Sequence, residues 1–388
     1  MINHRIGTKN RLLNFPKAKA SLSGGRPDWF LIFLVFGIMI FGLVMLSSAS
    51  SVDSYKQYGD TYYLFKHQII FGLLPGLFLF FLLAKIDYRT WEKRTVLLFA
   101  VSIILLILVF IPGLSLTHGS AKSWIKIAGS SFQPAEFVKL LLILSLAGWF
   151  SYRGKAMNED FWNGLVPFTV MFGLVALLIV AQPDFGTLLV VGTIALAIYF
   201  AAGAKIKHMI GLVVAGMVGA GFLFAQAPYR IARLMIFLHP ELDPQGTGYH
   251  INQALLAIGS GGIFGLGFGQ SQQKFAYLPE VMGDSIFAIV SEELGFIFAM
   301  ALVVAFLVLA WRGFKLAMAT TDDYARFIVV GIITWFIFQS FYNIAAIVGL
   351  MPLTGIPLPF VSYGGTALFS NLAAFGILIN ISKHYQIK

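Results

Sequence analysis

Apolar residues in this 388-residue chain are gathered into long runs separated by short polar breaks. Runs of roughly 17–25 residues, long enough to cross a bilayer as a helix, fall near 28–50, 64–84, 95–113, 134–150 and 161–181. Five more fall near 185–202, 207–226, 285–311, 325–349 and 362–381. The pattern predicts an all-α polytopic membrane protein: ten transmembrane helices in one domain over 28–388, after a basic tail over 1–27. Two connections break the rhythm. "GLSLTHGSAKSWIKIAGSSFQPAE" (113–136) is rich in Gly and Ser. The connection between helices 7 and 8, about 227–284, is far longer than loops usually are, yet it is full of apolar residues. It is expected to form a large ordered extracytoplasmic cap. Within it, Arg230, Ile231, Arg233, Leu234 and Ile236 suggest a short amphipathic helix, and "HINQALLAIGSGG" suggests a second helix stopped by its glycines.

Composition agrees with this pattern. Charged residues make up 11% of the chain and hydrophobic ones 58%, whereas soluble domains carry about 25% charged residues. The net charge of +10 invites a nucleic-acid partner, but the distribution of the basic residues excludes one. With the N-terminus cytoplasmic, nineteen of the 27 Lys and Arg fall in inside segments and seven outside, and Lys139 lies within a span. That asymmetry follows the positive-inside rule and puts both termini in the cytoplasm. The first apolar run is too long for a cleaved signal and reads as a signal anchor. The chain has no Cys, so disulfides and Cys-ligated metals are excluded.

Ionisable groups inside spans are expensive and usually mark function. Glu136 and Lys139 sit three apart behind Pro134, on one face of a helix. They are either an interfacial pair reaching for the headgroups or part of the wall of a polar cavity. Asp184 in "AQPDFGT" stands at a break between two spans. Asp284 in "GDSIFAIVSEELGF" stands just before a span, with Glu292 and Glu293 about two turns further in. As an N-cap, Asp284 would simply start that helix; in a cavity it would be a base. Several carboxylates and one lysine near one end of the bundle suggest a polar cavity opening outward. "MPLTGIPLPFVSYGGTALFSN" (351–371) brings three prolines, Ser362, Tyr363 and a Gly pair to membrane depth. Such backbone is tolerated where it lines a cavity or is buried in protein, so the stretch is either a cavity wall or a kinked packing helix. "GSGGIFGLGFG" (259–269) follows no strand, which argues against a phosphate-binding loop and for close helix packing or a hinge. The seven histidines are scattered without ligand spacing, so no metal site is expected from them.

Together "KSWIKIAGSSFQPAEFVKL", "QPDFGT", "RLMIFLHPELDPQGTGYHINQALLAIGSGGIFGLGFGQSQQKFAYLPE", "GDSIFAIVSEELG" and "PLTGIPLPFVSYGGTALFSN" resemble the SEDS family (shape, elongation, division and sporulation), bacterial peptidoglycan glycosyltransferases. The resemblance spans nearly the whole chain, and "GQSQQKFAYLPE" is more similar to the division-type branch than to the elongation-type branch. Where many members have His-Thr before the aspartate, this chain has Met282-Gly283, which alters the local loop and no catalytic group. The resemblance implies ten helices, a catalytic aspartate at Asp284 and cavity residues at Glu136, Lys139 and Asp184. It implies lipid II as substrate, a β-1,4-linked glycan strand as product, and a class B penicillin-binding protein as partner beside other division proteins. The implied location is the bacterial inner membrane, with the site facing the exterior, at the division septum.

Such a transfer needs one base, for which Asp284 is the candidate, and cationic partners for a departing pyrophosphate. Lys122, Arg230 and Arg233 are the candidates there. A divalent cation, Mg²⁺ or Mn²⁺, is the alternative for that task. Two rival classes remain open: a lipid II flippase, against which stands the lack of a clear inverted repeat, and a non-catalytic scaffold, which leaves the clustered polar groups unexplained.

Overall fold

The computed structural model describes residues 25–385 apart from 119–120, 128–129, 226–236, 238, 240–246 and 276. The basic tail over 1–24 and the expected helix around Arg230 lie outside the described residues.

Among the described residues, seven helices are long and apolar enough to cross a membrane: α1 (Trp29–Ala49), α3 (Tyr63–Lys85), α5 (Pro134–Asn158), α6 (Phe161–Ala181), α10 (Ile286–Ala319), α11 (Asp323–Ile347) and α12 (Gly365–Ser382). Three shorter apolar helices, α4 (Thr95–Leu108), α7 (Phe185–Ala201) and α8 (Ile206–Phe222), coincide with the other three expected spans. Short α2 (Ser51–Tyr58) follows α1. In the cap, α9 (Thr247–Gly261) is the second helix read from the sequence, and it ends in glycine as expected.

The 113–136 connection holds more than a loop. Strands β1 (Ser115–His118), β2 (Ala121–Ile127) and β3 (Ser130–Phe132) form an antiparallel sheet in the order β1-β2-β3. The alternation in "AKSWIKI" explains β2: Ser123 and Ile125 are buried while Lys126 is exposed, the period of two that a half-buried strand requires.

Helices α5, α11 and α12 form the centre of the bundle and bury most of their surface, whereas α1, α3, α6 and α10 expose broad apolar faces. Lipid is as apolar as a leucine core, so association rests on close packing and small residues. α3 and α12 show this. A Cβ on Gly76 would lie 2.7 Å from Leu372, and one on Gly376 would lie 2.7 Å from the Phe80 carbonyl.

α10 is broken at Gly295, which adopts φ +80°. There it meets the glycine-rich stretch after α9: Leu266 N–H donates to Glu292 O and Gly267 N–H to Glu293 O, both at 2.9 Å, and Phe296 N–H returns to Gly262 O. A Cβ on Gly265 would sit 2.2 Å from the Glu293 carbonyl. The packing role expected for "GSGGIFGLGFG" is therefore observed, and its glycines fasten the cap to the broken helix.

Candidate active site

Asp284 stands two residues before α10, at the end of a loop whose backbone is held from three directions. From α11, the Asn343 amide donates to Asp284 O (2.9 Å) and to Ile356 O (2.8 Å). From the proline-rich segment, Tyr363 N–H donates to Met282 O (2.7 Å), and the Ser362 hydroxyl donates to Gly283 O while accepting from Leu358 N–H. From the cap, His250 Nε2 lies 2.6 Å from Ser285 Oγ, and the Ser285 hydroxyl donates to Pro279 O. The hydroxyl proton being spent there, Nε2 carries the proton of the His250 contact. Burial takes the imidazole pKa down to about 4, so the ring is neutral at physiological pH.

The carboxyl group itself is treated differently. Its Oδ1 is buried and has no hydrogen-bond partner. Burial first, and repulsion from Glu280 second, push the Asp284 pKa up to about 7. A carboxylate poised near neutral pH, with one oxygen left without a partner, suits a general base. The capping alternative does not hold: Ser285 occupies the N-cap position of α10, and no side chain caps it. Asp284 lines a crevice with Tyr342, Asn343, Thr354 and Gly355. Glu280, whose charge acts on Asp284, has a positive φ of +49°, and Phe360 in the proline-rich segment has +65°; such strain persists only where the surroundings enforce it.

Glu136 and Lys139 form an ion pair of 2.7 Å on α5, each about 2% exposed. Lys139 Nζ also donates to Gln339 Oε1 (3.0 Å) and lies 4.7 Å from the Trp335 ring centre, while Trp335 Nε1 donates to the same Gln339 oxygen (2.7 Å). Gln339 then donates to Pro357 O (2.8 Å). Gln339 and Asn343 are one turn apart on α11, so one helix face ties the Lys139 pair and the Asp284 loop to consecutive carbonyls of the proline-rich segment. The pair is enclosed by protein on the sides these contacts define, with Ser370 Oγ 3.5 Å from Glu136.

Asp184 caps α7, accepting from Thr187 N–H (2.9 Å) and Thr187 Oγ1 (2.8 Å), and it also accepts from the Gln133 amide (3.2 Å) directly before α5. Ser362, Tyr363 and Asp284 are thus brought together, and Glu136, Lys139 and Asp184 flank the base of α5. Lys122 lies on β2, and Arg230 and Arg233 lie outside the described residues.

Glu292 and Glu293, grouped above with an outward cavity, have another task. Glu293 pairs with Lys274 (3.0 Å) and accepts from Ser48 (2.7 Å) and Gly269 N–H; Glu292 accepts from Ser271 Oγ and Gln272 N–H. Both are fully buried and bind the cap to α10 and α1. Among the described residues no three His, Asp or Glu side chains converge as a metal site.

Sequence reasoning missed Gln339, Asn343 and His250. A signal existed for two of them: in "FIFQSFYNIAA", polar groups recur at 339, 340 and 343 within an otherwise apolar span, the mark of an interior-facing stripe.

Residues 28–387 match the model of the FtsW, RodA and SpoVE family, described as cell cycle proteins. Stage V sporulation protein E of Bacillus subtilis is 41% identical over 92% of this chain and 97% of its own length. The probable peptidoglycan glycosyltransferase FtsW of Trichlorobacter lovleyi is 38% identical over 93% and 94%. Among solved structures, a chain of a peptidoglycan synthase complex that coordinates polymerization and crosslinking superposes with a TM-score of 0.77 at 29% identity, covering 93% of this chain and 99% of the other. The rod shape determining protein RodA of Thermus thermophilus gives 0.68 at 29% identity, covering 93% and 98%.

Proposed function

The chain belongs to the FtsW, RodA and SpoVE family of cell cycle proteins, and we propose that it is the division-type peptidoglycan glycosyltransferase of its cell, polymerising lipid II at the septum. The observation that carries this reading is Asp284: a carboxylate raised toward neutrality, unpartnered at Oδ1, with its backbone fixed by three elements. All ten apolar helices cross the inner membrane, both termini are cytoplasmic, and Asp284 faces the exterior.

In the proposed reaction, the 4-hydroxyl of an acceptor sugar attacks the anomeric carbon of a donor whose α-bond to undecaprenyl pyrophosphate breaks. Asp284 takes the hydroxyl proton, the new bond is β-1,4, and the pyrophosphate leaves with the bonding pair. A single inverting displacement needs one base and no covalent intermediate. Lys122, Arg230 and Arg233 are the proposed partners of the departing pyrophosphate. Glu136, Lys139 and Asp184 set the position of α5 and α11 behind the crevice, and Ser362 and Tyr363 fix the loop that presents the base. A class B penicillin-binding protein, packed beside the bundle, cross-links the strands.

The test is direct. Purified protein with its penicillin-binding partner, given labelled lipid II in detergent, is expected to yield a ladder of glycan strands on a gel. A flippase makes none there, because detergent has no two leaflets to exchange between. A protein that folds and binds its partner yet leaves lipid II monomeric ends the glycosyltransferase reading.

The raised pKa of Asp284 also fixes a pH profile. Below a pKa of about 7 the carboxyl group is protonated and cannot accept a proton, so kcat/KM should rise tenfold per pH unit and level off above neutrality. Glu280→Gln removes a repulsion that raises this pKa, so it should move the acid limb to lower pH without abolishing turnover. A profile flat between pH 5.5 and 8 in the wild type assigns proton removal elsewhere.

A further inference from the structure

At the end of the bundle opposite Asp284, a cavity of about 290 Å³ opens between the start of α1 and the ends of α10 and α12. Beyond its break at Gly295, α10 rises roughly 24 Å from Phe296 to Arg312 at 1.5 Å per residue, so the cavity and Asp284 belong to opposite ends of the helix. Arg26 and Arg312 line the cavity with Ser382 and Tyr385. Asp28 is the acid beside them, and it is already engaged: one oxygen accepts from Leu31 N–H at the α1 N-terminus (3.2 Å), and the other accepts from Arg312 Nε (2.8 Å). Arg26 is exposed and has neither an ion pair nor a hydrogen bond to another described residue. Arg312 spends only Nε on Asp28, and its side chain is 21% exposed. The cavity therefore carries surplus positive charge with guanidinium donors to spare.

Its surroundings are apolar in the direction of the bilayer. Trp29, Phe30 and Phe33 on α1 and Trp311 on α10 expose 55, 49, 71 and 54% of their surfaces. A basic, polar cavity at a membrane boundary, continuous with an exposed aromatic face, matches a molecule with an anionic head and two acyl tails. The N-terminal tail cannot supply that anion, since residues 1–25 contain Arg5, Lys9, Arg11, Lys17 and Lys19 and no Asp or Glu.

We propose that this cavity is a binding site for the phosphate of an anionic glycerophospholipid, held by Arg26 and Arg312, with its acyl chains lying along Trp29, Phe33 and Trp311. The lipid fastens the entry of α1 to the exit of α10, and the site is independent of the glycosyl-transfer reading.

The experiment is native mass spectrometry of the full-length protein, purified in detergent after exchange with vesicles of phosphatidylglycerol or phosphatidylcholine. One tightly retained phosphatidylglycerol per chain is expected, with phosphatidylcholine retained several-fold less. Each basic residue near such a headgroup contributes roughly fivefold, so Arg26→Gln should lower retention by about that factor. Because Arg312→Gln alone would strand Asp28, the second variant is the double Asp28→Asn with Arg312→Gln, with a similar loss expected; Lys66→Gln, on the opposite face, should retain lipid fully. Wild-type retention by Arg26→Gln overturns the proposal, as does equal retention of the two lipids. Displacement of the bound lipid by millimolar inorganic phosphate would also overturn it, by assigning the cavity to a free anion.

Discussion

Asp284→Asn is expected to insert, fold and bind its penicillin-binding partner normally while losing about 10²–10⁴-fold in strand synthesis, the usual contribution of a general base. An amide has the shape of the carboxyl group and no useful basicity, so the substitution isolates proton acceptance. Stability should not fall. A carboxyl group whose pKa is raised from 3.8 to about 7 on folding binds its proton more tightly in the native state. Its favourable contribution is therefore fully present below pH 3.8 and is lost as pH rises through 7. At pH 7.5 the wild type carries an ionised, poorly solvated group, and the Asn variant does not. Thermal unfolding of the variant at that pH should match or exceed the wild type. Gel-resolved strand length from labelled lipid II, with partner binding on the same preparation, decides the matter. Full-length strands from the Asn variant would remove Asp284 from the mechanism.

The positions of the helices were legible in the sequence because the bilayer imposes a length and a polarity that few other environments demand. Each of the ten apolar runs overlaps an observed helix, and "HINQALLAIGSGG" gave α9 with its glycine stop. Asp284, Ser362 and Tyr363 were also legible, because a charge and a broken backbone at membrane depth are both costly. What could not be read was which polar group answers which. Ser362 meets Gly283 across 79 residues, and Asn343 meets Asp284 across 59; hydropathy carries no information on such pairings. Glu292 and Glu293 show the consequence. Their charge marked them correctly as interior, but the choice between lining a cavity and fastening the cap depended on Lys274 and Ser48, from two other segments. The small sheet was hidden for a different reason: its Gly and Ser content resembled a loop, and its period of two extended over only seven residues in β2.

The Glu136–Lys139 pair gives the second large effect. Lys139→Met should destabilise the protein by about 3–5 kcal/mol, since it leaves a carboxylate about 2% exposed without its counter-charge. The double variant Glu136→Gln with Lys139→Met removes both charges and should recover most of that loss, because a neutral amide near Ser370 and a methionine against Trp335 fit the same space. Activity should not return with it. Lys139 fixes Gln339 Oε1, and Gln339 in turn holds Pro357 O, next to the Ile356 carbonyl that Asn343 shares with Asp284. Methionine cannot donate to Gln339, so one anchor of the proline-rich wall is lost although the fold is kept. Thermal unfolding and strand synthesis measured together on the single and double variants separate the two effects. Stability restored with synthesis still depressed by tenfold or more is the expected outcome. Wild-type turnover in the double variant would confine the pair to holding α5 and α11 together, and the crevice would then owe its shape to Asn343 and Ser362 alone.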